Sequence, residues 1–178
     1  MSASAAENII LETQRTFLRP LRQTDFADLA EILKDPAVMY AYEHAFDDRE
    51  VQNWLDNQLR RYENDGFGLW AVISKSTGGF IGQVGLTRQE TPRGTETEIG
   101  WLLKKACWHQ GFATEAGEGC RQYAFNILKK QKVVSIIRDT NLASRKVAER
   151  LGMRPRFSFV KHYYGMDMPH IVYAVTTP

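Results

Sequence analysis

Two neighbouring segments, residues 99–103 and 108–116, constrain the fold of this chain more than any other part of its sequence. The first is the apolar run Ile-Gly-Trp-Leu-Leu, and the second is Trp-His-Gln-Gly-Phe-Ala-Thr-Glu-Ala. This order predicts a strand, a loop centred on Gly111 and a helix that begins near Ala113. Glycine lets the backbone approach a ligand, and the first N–H groups of a helix carry partial positive charge. The junction is therefore typical of a phosphate or pyrophosphate site, although many strand-to-helix connections without a ligand look the same.

The loop resembles the acyl-CoA loop of the GNAT superfamily of N-acetyltransferases, whose pattern is Gln/Arg-x-x-Gly-x-Gly/Ala. Residues 108–113 match this pattern, except that Trp108 stands where the family usually has Gln or Arg. An aromatic residue there, followed by Gly-x-Ala-Thr-Glu-Ala, looks like the subgroup that includes the ribosomal-protein N-terminal acetyltransferases. Nucleotide-binding loops fit less well. The chain has neither a Gly-x-x-x-x-Gly-Lys-Ser/Thr motif nor a Gly-x-Gly-x-x-Gly motif that opens a helix.

Four further segments resemble the same family and follow the family's order. They are residues 16–21 followed by Asp25, residues 35–39, residues 80–86, and residues 141–144 with 151–153. Each segment is a weak signal, and their common order and spacing make the resemblance specific. It covers roughly residues 11–175 and implies a single N-acetyltransferase domain over residues 1–178.

Periodicity and turn residues predict secondary structure in the order βααβββαβαββ. Predicted strands cover residues 9–20 (bent at Gln14-Arg15), 67–74, 80–88, 96–103, 133–139, 156–161 and 170–175; helices begin near 25, 48, 113 and 142. Thr24 or Asp25 can cap the first helix, and Asn141 the fourth. The pattern is mixed α/β (α+β). The resemblance implies a mostly antiparallel central sheet with helices on both faces, whose strands 96–103 and 133–139 splay apart to admit pantetheine.

Composition limits the class of protein. A content of 43% hydrophobic and 25% charged residues is typical of a soluble globular chain. No apolar run approaches the roughly 20 residues that span a bilayer, and residues 1–8 lack the features of a signal peptide. We therefore expect a cytoplasmic protein without a membrane partner. The two cysteines and four histidines show no metal-ligand spacing, so no metal is expected. Cys107 could be a nucleophile, but a small side chain at a strand edge is the favoured interpretation.

A net charge of +2 conceals a basic block. Residues 129–161 carry 10 Lys and Arg against 2 Asp and Glu, whereas residues 1–128 carry 13 against 18. Nucleic-acid binding would explain such a block. Attraction of a phosphorylated cofactor, together with ordinary solvated charge, explains it better, because the block includes the strand and helix that border the CoA site in the family.

The resemblance implies that backbone groups hold acetyl-CoA. Its pyrophosphate would lie on the N–H groups of Trp108, His109, Gln110, Gly111, Phe112, Ala113 and Thr114. Pantetheine would pair like an added strand with Trp101, Leu102 and Leu103. An N–H group near Leu103 would face the thioester oxygen, an oxyanion-hole role worth roughly 3 kcal/mol. Asn141 is a helix cap, a cofactor contact, or both.

Acetylation of an amine requires removal of a proton, because an α-amino group has a pKa near 8 and a Lys-like amine above 10. Glu98 is the first candidate base. Strand alternation places it on one face with Gly100 and Leu102, and partial burial can raise its pKa toward neutrality. The alternative is a solvated charge on an edge strand. Glu43 is the second candidate base.

The acceptor site in the family is walled by the first two helices and the loop between them. Tyr42 and Glu43 lie in that loop and are expected to contact the acceptor. Tyr164 is expected to join them from the segment between the last two strands, where His162 and Tyr163 also lie. His162, Tyr163 and Tyr164 either line the acceptor cleft or are ordinary surface side chains.

Many GNAT enzymes protonate the leaving thiolate with a Tyr in Asn-x-x-Ala-x-x-Leu-Tyr, and that register gives Ala148 here. Ser144 stands at the Asn-x-x-Ser position of the ribosomal-type subgroup and could supply a hydroxyl near the sulfur. The alternative is a first-turn Ser that bonds to the backbone. A thiol with a pKa near 8.5 leaves tolerably without an acid.

The sequence therefore predicts an acetyl-CoA-dependent N-acetyltransferase in which a primary amine attacks the thioester directly. The acceptor is either a protein N-terminal α-amine or a small-molecule amine, since fold does not determine substrate. The competing interpretation is a CoA-binding sensor or regulatory protein without transferase activity. Nucleic acid is not expected as a partner, and the chain is expected to be a monomer or a homodimer.

Overall fold

The computed structural model describes residues 8–163 and 165–178. The strands are β1 (Leu11–Glu12), β2 (Thr16–Pro20), β3 (Leu69–Ser74), β4 (Phe80–Thr91), β5 (Gly94–Leu103), β6 (Lys132–Arg138), β7 (Arg154–Tyr163) and β8 (Met166–Thr176). The helices are α1 (Phe26–Leu33), α2 (Asp48–Asp65), α3 (Phe112–Asn126) and α4 (Leu142–Arg150). The predicted order is confirmed, with the bend at Gln14-Arg15 dividing the first strand into β1 and β2.

All eight strands form one sheet in the order β1-β2-β3-β4-β5-β6-β8-β7. Every neighbouring pair is antiparallel except β5 and β6, which are parallel. Strand β5 pairs with β4 along its whole length but with β6 only at Glu98 and Val134. Beyond that pair the two strands diverge, as the resemblance implies. One edge of the second half of β5 is left without a neighbouring strand.

Helices cover both faces of the sheet, as predicted. On one face α3 and α4 bury Ala116, Cys120, Ala124, Ala148 and Leu151 against the strands. On the other face α1 and α2 bury Leu29, Ile32, Leu33, Val51 and Leu55. Full burial of a Leu or Ile side chain contributes about 1.5–3 kcal/mol, so these two layers hold the diverging strands in place. No helix in the described part of the chain is long and apolar enough to cross a membrane.

The start of α1 differs from the prediction. A short 3-10 turn over Gln23–Asp25 precedes the helix, and Asp25 occupies the N-cap position without a side-chain cap bond. Its carboxylate instead accepts two hydrogen bonds from the Arg19 guanidinium, each 2.8 Å long, and one from the Arg22 N–H group. Asp25 is therefore the N-cap residue, one of the two predicted, but its carboxylate is bound by Arg19 and Arg22 and does not bond to the first turn of α1.

The last two strands are longer than predicted. Periodicity indicated residues 156–161 and 170–175, whereas β7 and β8 pair from Arg154 to the hairpin end at Tyr163 and Met166. Polar cross-strand partners such as His162 and Asp167, 2.5 Å apart, extend the ladder. The residues near this hairpin end do not alternate between polar and apolar, and alternation is the pattern that predicts a strand. The sequence therefore did not predict the extension.

Candidate active site

A cavity of about 950 Å³ opens where β5 and β6 diverge. We call it the cleft. Its helix end is walled by residues 107–109 and 111–114, at the start of α3, and by Asn141 and one face of α4. Its hairpin end is walled by residues 38–46, by α2 and by the side chains of Lys161 and Tyr163 from β7. The two ends belong to one continuous cavity that passes between the diverging strands. A molecule bound at one end can therefore contact a molecule bound at the other.

The helix end has the backbone form that the sequence predicted. Helix α3 begins at Phe112, one residue earlier than expected, and Gly111 is its N-cap with φ +82°. His109 also has a positive φ of 60°, a conformation that is uncommon outside glycine and concentrates at functional sites. The first N–H groups of α3 lack intrahelical partners. They line the cleft together with Lys146 and Arg150 from the basic block.

Arg15, which the sequence analysis missed, supports this loop from the bend between β1 and β2. Its guanidinium donates to the Gln110 carbonyl at 2.9 Å, forms a 2.6 Å ion pair with Glu115 and lies 4.3 Å from the centroid of the Phe112 ring. Thr13 also donates to the Glu115 carboxylate, at 2.7 Å. A single arginine therefore joins the loop to the first turn of α3.

Most of the predicted cofactor residues line the cleft, and one does not. Those on its wall are Trp101, Leu102, Leu103, Trp108, His109, Gly111, Phe112, Ala113, Thr114, Asn141 and Ser144. The Gln110 side chain is bonded to the Ala106 carbonyl at 3.0 Å, and Gln110 is not on the cleft wall. The Trp108 indole donates to the Leu103 carbonyl at 3.1 Å and so joins the loop to the end of β5.

Glu98 lies at the point of divergence and is half-buried. Its carboxylate accepts the Ile136 N–H group at 2.8 Å, a backbone donor that has lost its strand partner. A Cβ on Gly100 would lie 4.0 Å from the Glu98 Oε1 atom, so the two residues share a face, as alternation predicts. At Glu98 strand β5 pairs with β4 on one side and with β6 on the other. The alternative of a solvated edge-strand charge is therefore wrong.

The pKa of Glu98 is raised, because burial disfavours its charged form. The Ile136 N–H group, the Lys161 and Arg61 charges and a 3.4 Å contact from the Thr87 hydroxyl oppose that shift. A raised pKa makes the Glu98 carboxylate a stronger base, which is the direction that favours general base catalysis.

Tyr42 and Glu43 line the hairpin end, as predicted for acceptor contacts. Tyr42 meets the Trp54 ring edge-on, with 6.2 Å between the ring centroids. The Trp54 ring lies 5.9 Å from Phe46. Tyr164 lies outside the described residues. This end of the cleft is thus an aromatic wall facing a carboxylate.

Four side chains form a hydrogen-bonded chain across the cleft. The Trp101 indole donates to the Ser144 hydroxyl at 3.2 Å. The Asn141 side-chain oxygen accepts both the Ser144 N–H group at 3.1 Å and the Tyr40 hydroxyl at 2.8 Å. Asn141 is thus the helix cap that was predicted. The Ser144 hydroxyl accepts from a side chain, so its own hydrogen remains available to a ligand.

The structure gives less support to a cysteine nucleophile or a metal centre. Burial raises the pKa of the Cys107 thiol, so little of it is the nucleophilic thiolate. Within the described residues, no three His, Cys, Asp or Glu side chains are grouped so that they could hold a metal ion.

A parallel strand pair that splays beside a glycine loop at a helix start is the arrangement implied for a CoA-dependent acyltransferase. A sequence profile of the Acetyltransferase (GNAT) domain matches residues 15–154. The uncharacterized protein YkkB of Bacillus subtilis (strain 168) is 36% identical over 144 residues, which cover 80% of this chain and 84% of that protein. The chain therefore belongs to the GNAT acetyltransferase family.

Solved structures agree with this fold. A GNAT-family acetyltransferase from Bacillus anthracis superposes with a TM-score of 0.80 at 21% identity, covering 93% of this chain and 97% of that one. RimL, a ribosomal L7/L12 alpha-N-protein acetyltransferase in complex with coenzyme A, superposes with a TM-score of 0.75 at 14% identity, covering 94% and 97%. Members of the family transfer an acetyl group from acetyl-CoA, and the chain is an N-acetyltransferase.

Proposed function

We propose that this chain transfers the acetyl group of acetyl-CoA directly to a primary amine bound at the hairpin end of the cleft, with Glu98 as the base. The position of Glu98 carries the proposal. It lies between the two ends of the cleft, on the face of β5 that Gly100 leaves open, and its pKa is raised by burial.

The helix end fits acetyl-CoA. Gly111 has no Cβ between the loop backbone and the cleft, and the α3 N-terminus favours negative charge. The β5 residues Trp101 to Leu103 bond to β4 on one side and line the cleft on the other. They have the geometry to take an extended ligand as an added strand. Acetyl-CoA supplies the thioester carbonyl that the amine attacks.

Side chains of the cleft accept the proton from the amine and supply one to the leaving thiolate. Glu98 takes a proton from the amine as the new C–N bond forms, the C–S bond breaks when the resulting oxyanion collapses, and Glu98 then releases its proton to solvent. A backbone N–H group near Leu103 stabilises the oxyanion. The Ser144 hydroxyl, held by Trp101, donates its hydrogen toward the departing thiolate and regains one from solvent.

An acceptor screen tests the proposed function. Release of CoA is measured with free amino acids, polyamines, aminoglycosides and peptides beginning with Ala, Ser or Met. Acetylated product with at least one primary amine supports the proposal. Binding of acetyl-CoA without transfer to any amine would instead favour a CoA-binding sensor.

Ser144→Ala is expected to lower kcat only modestly and to leave acetyl-CoA affinity largely intact, because the thiolate can leave without an acid. Steady-state kinetics with direct measurement of acetyl-CoA binding provide the check. A loss in kcat beyond about 10³-fold, above the middle of the general-acid range, would show that the hydroxyl is essential. An unchanged kcat would reduce Ser144 to a structural partner of Trp101.

Arg15→Gln is expected to raise the KM for acetyl-CoA about three- to tenfold with little change in kcat, because charge-assisted bonds hold the loop but do not touch the reacting atoms. Arg93→Gln is the matched control. The Arg93 guanidinium stacks on Phe157 at 4.2 Å, and neither residue lines the cleft. Equal effects of the two substitutions on KM would contradict a role of Arg15 at the loop.

A further inference from the structure

The hairpin end of the cleft carries three cationic side chains from three different elements. Arg61 lies on α2, Arg138 at the end of β6 and Lys161 on β7, and all three line the cleft together with Glu98. None of the three forms a salt bridge with another described residue. Their charges are therefore available to a ligand.

Neutral groups hold two of these cations in place. The Gln58 side-chain oxygen accepts the Arg61 Nη1 group at 3.3 Å and the Leu69 N–H group at 3.0 Å, and Gln58 is only 1% exposed. The Tyr40 carbonyl accepts from Arg138 at 3.2 Å. A carbonyl oxygen orients a guanidinium without neutralising it, so the remaining N–H groups keep their capacity for a carboxylate.

The three cations shift the pKa values of two titratable side chains near the site, Glu98 and His170. Lys161 and Arg61 oppose the burial that raises the pKa of Glu98. Lys161 and Arg138 add to the burial that lowers the pKa of His170. The cations therefore lie close to the proposed point of reaction.

Two further carboxylates, Glu43 and Glu50, line this end, so that with Glu98 three carboxylates accompany the three cations. Glu50 is already engaged, since it lies 2.6 Å from the His44 ring nitrogen and accepts the Asp47 N–H group at 2.9 Å. Glu43, from the loop before α2, is a single opposing charge. A lining with both signs of charge matches an acceptor that carries an anion as well as its amine, whereas a polyamine carries positive charge alone.

We propose, on the basis of the proposed function, that the acceptor is a primary amine with a carboxylate on the neighbouring carbon, which is the chemistry of an α-amino acid. Its amine faces Glu98, and its carboxylate lies between Arg61 and Lys161, where charge-assisted bonds are strong. The aromatic wall of Phe46 and Trp54 takes the apolar part of the molecule.

The test compares matched acceptors that differ only at the carboxylate. Leucine, methionine and phenylalanine are each assayed against their amides and their decarboxylated amines at one pH. We expect the amino acid to exceed its amide in kcat/KM by about 10- to 100-fold, the range of a contact between charged groups. The amide has the less basic amine, so any preference for the acid is not caused by a larger supply of neutral amine.

Substitutions identify the groups that recognise the carboxylate. Arg61→Gln and Lys161→Gln are expected to reduce the ratio of acid to amide, and Arg60→Gln, an exposed neighbour of Arg61 outside the cleft, to preserve it. A preference for the amides, the decarboxylated amines or spermidine would overturn the proposal. So would equal losses for acid and amide in Arg61→Gln.

A binding measurement separates this inference from the proposed function. Thermal stabilisation of the CoA-bound protein by each amino acid and by its amide is measured without turnover. Stabilisation by the acid alone, lost in Arg61→Gln, supports carboxylate recognition even if no acetyl product forms. Acetyl transfer to other amines without binding of any amino acid would refute the inference and leave the proposed function intact.

Discussion

Glu98→Gln is expected to lower kcat/KM by about 10²- to 10⁴-fold at pH 7, the usual contribution of general base catalysis. An α-amine with a pKa near 8 is mostly protonated at that pH and cannot attack until it loses a proton. Acetyl-CoA affinity should change little, because the proposed cofactor contacts are backbone groups further along β5.

The deficit of Glu98→Gln should depend on pH in one direction. Near pH 9 the α-amine of a peptide or an amino-acid amide is largely neutral and needs less help, so with such an acceptor the variant should recover part of its activity. In the unaltered protein, kcat/KM should fall as the pH drops through the raised pKa of Glu98, because the protonated carboxyl is no longer a base. Profiles that begin near the ordinary carboxyl pKa of 4.5 and extend to about pH 9.5 reveal both trends, once the acceptor's own pKa is taken into account.

A stability measurement shows whether Glu98→Gln acts through the fold. Because the folded-state pKa of Glu98 is raised, the folded protein binds more protons than the unfolded chain between the ordinary and the raised value. Stability from this group therefore falls as the pH rises through that window, and the charge is unfavourable at neutral pH. The variant should unfold at pH 7 no earlier than the unaltered protein.

Glu96→Gln is the matched control for Glu98→Gln. Glu96 lies on the same strand, forms a 2.6 Å ion pair with Lys132 and does not line the cleft. Glu96→Gln should leave the pH dependence of kcat/KM unchanged. If Glu98→Gln instead runs parallel to the unaltered protein at every pH, Glu98 is not the base, and Glu43→Gln becomes the next variant to measure.

Gly111→Val is expected to abolish most of the thermal stabilisation by acetyl-CoA. Ligand at about 100 times its Kd adds roughly 2.7 kcal/mol to the folded state. Valine resists the φ of +82°, and its side chain would obstruct the approach of a phosphate to the loop. Its Cβ would also lie 3.4 Å from the Arg15 guanidinium.

Gly78→Val separates backbone strain from cofactor binding. Gly78 has a φ of +70° in the turn between β3 and β4, and a Cβ there would meet nothing within 4 Å. Gly78→Val should lower the melting temperature of the free protein but preserve the increase in melting temperature that acetyl-CoA causes. Unaltered acetyl-CoA affinity in Gly111→Val would show that the loop assignment is wrong.

Much of the fold and part of the site could be predicted from local patterns. Alternation along β5 placed Glu98 on the face of Gly100, because side chains of a strand point to opposite sides in turn. The turn at Gly111 and the cap at Asn141 depend on a few adjacent residues, and both appear in the structure. Asp25 stands at the N-cap of α1 as predicted, but Arg19, six residues away, binds its carboxylate, so the side chain makes no cap bond.

By itself, the sequence determined the succession of helices and strands and the chemistry of the loop at Gly111, because periodicity, turns and caps act over a few residues. Only the tertiary structure decided which side chains meet in the cleft. Arg15 reaches Glu115 across 100 positions, and Tyr40 reaches Asn141 across 101. Arg61 and Lys161 line the same cleft as Glu98 only because the tertiary structure brings α2 and β7 to it. Such contacts depend on packing, and no local pattern records them.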